Sequence, residues 1–186
     1  MINSINKIFA SIILLILLPL MFIIALLIIL NSSGPVIHWS KRIGKKNKIF
    51  LMPKFRTMIA NAPQKATDLI KKDDNLITKP GFFLRKSSLD EIPQLYSILK
   101  GDMNFIGPRP ALFNQYDLIE LRTKNNIHLQ KPGITGWAQI NGRDSISITK
   151  KVDLEKFYKE NNSLYLNLKI LFLTFINVLK RNSISH

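Results

Sequence analysis

The sequence predicts an α+β fold that is mostly helical, with an N-terminal membrane helix, amphipathic helices at the membrane interface and a small strand element at the membrane surface. Three observations predict it. No Lys, Arg, Asp or Glu occurs from Ile8 to Ser40, and Ile12 to Leu30 is almost wholly Ile, Leu, Phe, Met and Ala. The remainder is polar and basic: the 186-residue chain carries 27 Lys and Arg against 12 Asp and Glu, a formal net charge of +15. Short strand-like runs cluster between Val36 and Met58, whereas apolar residues later recur at helical spacing. The expected organisation is a membrane helix over 1–33 and a membrane-associated domain over 34–186. A balance this basic calls for an anionic partner: nucleic acid, an anionic membrane lipid surface or a phosphate-rich substrate. With no cysteine, disulfides and thiolate metal sites are excluded.

The N-terminal run is long enough for a membrane helix. It is too long for the apolar region of a signal peptide, and no small-residue cleavage pattern precedes Asn31. Lys41, Arg42, Lys45, Lys46 and Lys48 crowd its C-terminal flank, against Lys7 at the other end. The positive-inside rule therefore puts the following domain in the cytoplasm. Pro19 removes one backbone bond near the middle. A straight span and a bent, re-entrant helix both fit this pattern.

Gly34-Pro35 ends the helix. Val36 to Trp39 reads as a short strand or interfacial anchor, Lys41 to Lys48 as a turn with a footing on anionic lipid, and Ile49 to Met52 as a strand. In a strand, Lys54 and Arg56 share one face. Asn61 to Asn75 reads as a surface helix or mobile loop, and Lys79-Pro80-Gly81 as a turn. Phe82 and Phe83 suit the core or the membrane.

The stretch from Ser87 to Pro110 concentrates the chemistry. Ser87 with Asp90 and Ser88 with Glu91 fit the capping-box spacing. Ile92, Leu95, Tyr96 and Leu99 then share one helical face, and Lys100-Gly101 ends the run. Pro93 is tolerable only near the first turn, which places Asp90 and Glu91 at the helix start. Arg85 and Lys86 precede the acids, and Arg109 follows in the rigid Pro108-Arg109-Pro110 loop. A helix start among arginines is an anion site. Carboxylates inside it repel the anion unless a divalent cation sits between them, which suggests metal-assisted phosphoryl chemistry. The plainer alternative is that the acids only offset the helix dipole.

Ala111 to Arg122 reads as a helix and His128 as a surface residue. His38, His128 and His186 are solitary, so no zinc site is expected. Lys131 to Arg143 is rich in glycine and amides and can wrap a ligand, with Trp137 in the core or stacked on a base. It lacks the spacing of a P-loop or a dinucleotide fingerprint. Lys150 to Glu160 reads as a charged helix, and Leu164 to Leu179 as an amphipathic helix lying in the interface.

Taken in order, these landmarks resemble the bacterial sugar transferase family, the small monotopic phosphoglycosyl transferases. They are the apolar helix, Gly34-Pro35-Val36, Lys54-Phe55-Arg56-Thr57-Met58, Leu84 to Glu91, Leu99-Lys100-Gly101-Asp102-Met103, Gly107-Pro108-Arg109-Pro110 and Pro132 to Gln139. The match covers nearly the whole chain, and the ordered set is specific where each motif alone is weak. The resemblance implies transfer of a sugar-1-phosphate from a UDP-sugar to undecaprenyl phosphate, with UMP released. Asp90 is then the nucleophile, and a phosphosugar–aspartate intermediate forms. Glu91 holds Mg²⁺. Lys54, Arg56 and Arg85 neutralise phosphate charge or position the acids, and Pro108, Arg109 and Pro110 contact the nucleotide.

It further implies a re-entrant N-terminal helix and a catalytic domain on the cytoplasmic face of the bacterial inner membrane, with no nucleic acid partner. The oligomeric state stays open, a homodimer included. Three positions depart from the family pattern. Leu18 replaces the serine usual before Pro19, Pro53 replaces an aromatic residue, and Glu155 stands where relatives often carry Asp. The chain is expected to be a minimal catalytic unit. Two rivals stand beside this reading: a membrane-anchored nucleic-acid-binding protein and a non-catalytic membrane adaptor.

Overall fold

A computed structural model describes residues 2–59, 76–142 and 145–180. The expected surface helix at 61–75 and Arg143 of the glycine-rich loop lie outside the described residues. The architecture is mostly helical with two small two-stranded sheets. The chain divides into two compact units, one formed from Met1–Ser40 and Met52–Leu99, the other from Lys41–Leu51 and Lys100–Ser183.

In the first unit, α1 (Ile2–Asn31) runs as one 30-residue helix through Pro19. At about 1.5 Å per residue it exceeds the ~30 Å hydrocarbon thickness of a bilayer. Most of its apolar side chains are exposed, including Ile8, Phe9, Leu15, Ile16, Phe22 and Leu30. Its C-terminal half gives Ile24 and Ile28 to a core completed by Phe55 and Leu84, with Leu20, Met21, Val36, Ile37, Leu89 and Ile92 packed around it. The strands β1 (Ile37–Ile43) and β2 (Ile49–Phe55), each with residues in both units, form one sheet. Both outrun the sequence-based expectation. β1 takes in Lys41 and Arg42, leaving only Lys45–Asn47 as a 3-10 turn, and β2 continues through Pro53 and Lys54. Arg56 lies one residue past β2, so the strand itself carries Lys54 alone of the two cations.

Lys79-Pro80-Gly81 is the first turn of α2 (Lys79–Ser87) rather than a free turn. Thr78 caps it, its hydroxyl accepting from the Gly81 N–H at 3.1 Å, and Pro80 sits where a missing N–H costs nothing. A Cβ on Gly81 would lie 2.1 Å from the Thr57 carbonyl oxygen, so only glycine lets this helix approach the end of β2. Phe82 and Phe83 face outward rather than into the core.

The helix expected to start at Ser87 or Ser88 does not form there. Ser88 adopts a left-handed conformation (φ 58°, ψ 15°) that closes α2. Leu89–Gln94 is a 3-10 turn containing Pro93, and α3 begins only at Leu95 and ends at Lys100. The Ser87 hydroxyl bonds back to the Phe83 carbonyl at 2.8 Å, and Ser88 makes no capping bond, so neither capping box exists. The cause is Pro93, which has no N–H to continue an α-helical ladder.

In the second unit, β3 (Asn104–Ile106) pairs in parallel with β4 (Gly133–Thr135), Asn104 opposite Gly133 and Ile106 opposite Thr135. The helix expected from Ala111 begins later, as α4 (Tyr116–Lys124). α5 (Trp137–Ile140), α6 (Ile148–Glu160) and α7 (Leu164–Lys180) complete the unit. Ala111, Leu118, Ile127 and Val152 form one core cluster, and Tyr158, Leu166 and Ile170 another. α7 keeps Leu164, Tyr165, Leu168, Leu171, Phe172 and Phe175 exposed, and Ile170 fully buried.

Candidate active site

Asp90 and Glu91 occupy the first turn of the 3-10 segment, with Ser88 as the hinge that separates them from α2. A non-glycine residue in this conformation costs about 1–2 kcal/mol. Placed there, it turns the chain so that both carboxylates meet Lys54 from β2. The Lys54 ammonium donates to Glu91 Oε1 at 2.6 Å and lies 3.9 Å from Asp90 Oδ2. All three side chains are largely shielded, between 11% and 16% exposed. One cation thus serves two acids in a half-dry setting, where charge interactions are stronger than in water.

Arg85, on the last turn of α2, adds a second cation. Its Nε donates to Thr57 Oγ1 at 2.9 Å, just past the end of β2. Burial lowers the pKa of the Arg85 guanidinium from its ordinary value, and the negative charge of Asp90 works against that shift. Lys54, Arg85, Asp90 and Glu91, four of the residues singled out from sequence, therefore gather around one turn.

Arg56 does not join them through its hydrogen bonds. Its two Nη groups bind the chain following α1, Nη1 donating to the Ser33 carbonyl at 2.8 Å and Nη2 to the Ser32 carbonyl at 2.7 Å, while its buried Nε has no partner among the described residues. Strand alternation pointed to a shared face with Lys54. It misses this because β2 ends at Phe55.

Among the described residues no cluster of three or more acids or histidines suits a metal ion. The two carboxylates nonetheless fit Mg²⁺. That ion is commonly held by one or two protein carboxylates, with water and phosphate oxygens filling the rest.

Pro108, Arg109 and Pro110 belong to the second unit. The two prolines are buried and Arg109 is half-buried. Arg42 Nη1 donates to the Pro110 carbonyl at 3.1 Å, and the Gly133 N–H donates to the Pro108 carbonyl at 2.9 Å. The glycines of the loop expected to wrap a ligand serve this same contact. A Cβ on Gly136 would meet the Gly107 oxygen at 2.2 Å, and one on Gly133 the Gly107 nitrogen at 2.1 Å. The Pro132 to Gln139 motif thus places backbone against the Gly107 to Pro110 loop. Trp137 stacks on Phe157 at 5.7 Å, with Lys169 Nζ 5.7 Å from its ring centre.

Sequence reasoning missed a buried ion pair in this unit. Arg122 donates from Nε to Glu155 Oε2 at 2.8 Å and from Nη2 to Oε1, a two-pronged contact between α4 and α6. Glu155 thus pairs with Arg122. His128, expected at the surface, is half-buried, and its Nδ1 has no protein partner among the described residues.

The family model described as "Bacterial sugar transferase" matches residues 1–181. The chain belongs to the bacterial sugar transferases. It is 45% identical over 152 residues to the uncharacterized sugar transferase EpsL of Bacillus subtilis, covering 81% of this chain and 73% of that one. It is 41% identical over 177 residues to the UDP-glucose:undecaprenyl-phosphate glucose-1-phosphate transferase of Escherichia coli, covering 89% of this chain. It is 38% identical over 167 residues to the UDP-N-acetylgalactosamine-undecaprenyl-phosphate N-acetylgalactosaminephosphotransferase of Aeromonas hydrophila. This sugar transferase spans 37% and 39% of the length of the latter two relatives.

Proposed function

We propose that this protein transfers a sugar-1-phosphate from a UDP-sugar to undecaprenyl phosphate and releases UMP, as the names of its Escherichia and Aeromonas relatives describe for them. The observation that carries the reading is the acid pair on a single turn, held by Lys54 and flanked by Arg85. Two adjacent, shielded carboxylates with this cation supply make little sense as helix caps, because no α-helix begins at them. The nucleic-acid and adaptor alternatives are not favoured by the family assignment.

In this reading Asp90 attacks the β-phosphorus of the donor. The bond from that phosphorus to the bridging oxygen breaks, and UMP leaves with the electron pair. An oxygen of undecaprenyl phosphate then attacks the same phosphorus, and the Asp90 carboxylate is released. Lys54 and Arg85 offset the charge of the incoming diphosphate beside Asp90. Glu91 would hold Mg²⁺, which when bound neutralises diphosphate oxygens. Arg109 meets the nucleotide or its phosphates.

The membrane placement is part of the same proposal. One substrate is a lipid, and the exposed apolar residues of α1, α7 and Phe82-Phe83 suit insertion into lipid tails and headgroups. α1 enters from the cytoplasmic face of the inner membrane and, re-entrant about Pro19, returns to it. The basic flank after α1 favours the cytoplasmic side for the chain that follows, and the bond Pro19 cannot make permits a bend in a helix that otherwise runs unbroken through it; re-entrance itself rests on the family resemblance. A single cysteine in place of Ser4 tests this, since the native chain has none. Labelling from the cytoplasmic side supports re-entrance, and labelling from the far side shows a span.

The reaction is tested by UMP release from purified protein given undecaprenyl phosphate, Mg²⁺ and a panel of UDP-sugars. Release with one donor, abolished by EDTA, supports the transfer and its metal together. No release from folded protein with any donor rejects it.

A further inference from the structure

Four consecutive residues at the end of β2 face two different tasks. Lys54 holds Glu91, and Thr57 receives Arg85. Between them, Phe55 packs with Ile24 and Ile28 of α1, and Arg56 binds the chain that leaves α1. Arg56 is only 5% exposed. Besides the two carbonyls it takes the Ser32 hydroxyl at 2.8 Å, and its own backbone N–H donates to the Val36 carbonyl at 2.9 Å. Ser32 directly follows α1, its N–H donating to the Ile28 carbonyl of the last helical turn at 3.1 Å. Carbonyls at a helix end lack intrahelical partners and carry the negative end of the dipole. A forked, permanently charged guanidinium satisfies several at once, which an ammonium does less completely.

We propose that Arg56 is a positioning residue: it locks the end of the membrane helix to the end of β2, so that the seating of α1 in the bilayer sets the geometry of Lys54 and the acid pair. The role rests on the transfer reaction proposed above. It differs from a phosphate-binding role, because both Nη groups are held by Ser32 and Ser33 and the remaining Nε is buried, so an Arg56 that neutralised the diphosphate would have to leave those acceptors. A displacement of about 1 Å at a catalytic group can lower turnover about 100-fold without loss of substrate binding.

The test compares wild type with Arg56→Gln, Arg56→Lys and Ser32→Ala in lipid nanodiscs. It reads kcat and donor KM for UMP release, together with amide hydrogen exchange over residues 28–34 and 51–58. The expected result for Arg56→Gln is a kcat about 100-fold lower, a KM within about twofold, and faster exchange in both segments. Arg56→Lys restores part of both readouts. Ser32→Ala, which removes one of the acceptors, lowers kcat a few-fold and loosens the same segments. A higher KM with unchanged exchange makes Arg56 a phosphate ligand and overturns the proposal, as does wild-type kcat in Arg56→Gln. If Arg56→Gln does not fold, the other two variants decide, and wild-type behaviour in both overturns it. If wild type itself releases no UMP, the transfer reading fails separately. The exchange of Arg56→Lys and Ser32→Ala still rules on the clamp, unchanged exchange in both overturning it.

Discussion

The two units each bury an ion pair, and the pairs are built differently. In the second, Arg122 and Glu155 meet fork to fork, 9% and 3% exposed, one cation to one acid. In the first, the single ammonium of Lys54 faces two carboxylates, one at 2.6 Å and one at 3.9 Å, and the trio keeps some exposure. A closed, matched pair has little left to offer a ligand. A lysine shared between two acids is matched to neither, and the second cation beside Asp90 is the guanidinium of Arg85. Burial alone does not separate the two; stoichiometry and geometry do.

The largest expected effect is at the shared site. Asp90→Asn should lower UMP release at least about 1000-fold while the melting temperature stays near that of wild type. Normal turnover in that variant would erase the distinction between the two pairs. Glu155→Ala should do the reverse. Leaving Arg122 buried and unpaired should cost about 3–5 kcal/mol in denaturant unfolding, whereas the double variant Arg122→Met, Glu155→Leu should recover most of it. Lys54→Met should lower kcat about 100-fold, the scale of losing one electrostatic donor. Its stability should change little, because the acids it leaves keep some exposure to water, and Asp90 keeps Arg85 beside it.

Smaller effects sharpen the picture. Ser88→Gly should stabilise the hinge before the acid turn by about 1 kcal/mol, since glycine adopts a positive φ freely. Tyr158→Phe removes the hydroxyl that donates to Asn167 Oδ1 at 2.8 Å and should cost about 1 kcal/mol. Burial raises the pKa of the Tyr158 hydroxyl above its ordinary value. Its contribution is therefore present below the unfolded-state value of about 10 and is lost as pH rises through the folded one. Melting temperature measured from pH 8 upward should fall less steeply in Tyr158→Phe than in wild type.

What was legible in the sequence was whatever local pattern controls. The apolar run of α1, the charged helix α6 and the apolar helix α7 stood out because composition and period survive any packing. The acid pair and its nearby cations stood out because neighbours in sequence must be neighbours in space. The capping boxes and the start of α3 were misread, since Pro93 favours a tight turn where the serine–acid spacing suggests a cap. The reach of β1 and β2 was also hidden, because strand length depends on a partner that the sequence does not display.

The sequence by itself determined the apolar N-terminal helix, the basic balance, the family and the adjacency of the two acids, all properties of composition and short-range order. Only the tertiary structure decided what each cation does. Lys54 and Arg56 stand two residues apart, yet one holds the acid pair and the other the end of α1. Arg122 and Glu155 stand far apart, yet they close on each other. A charge finds its partner by distance in space, and that distance exists only once the chain has folded.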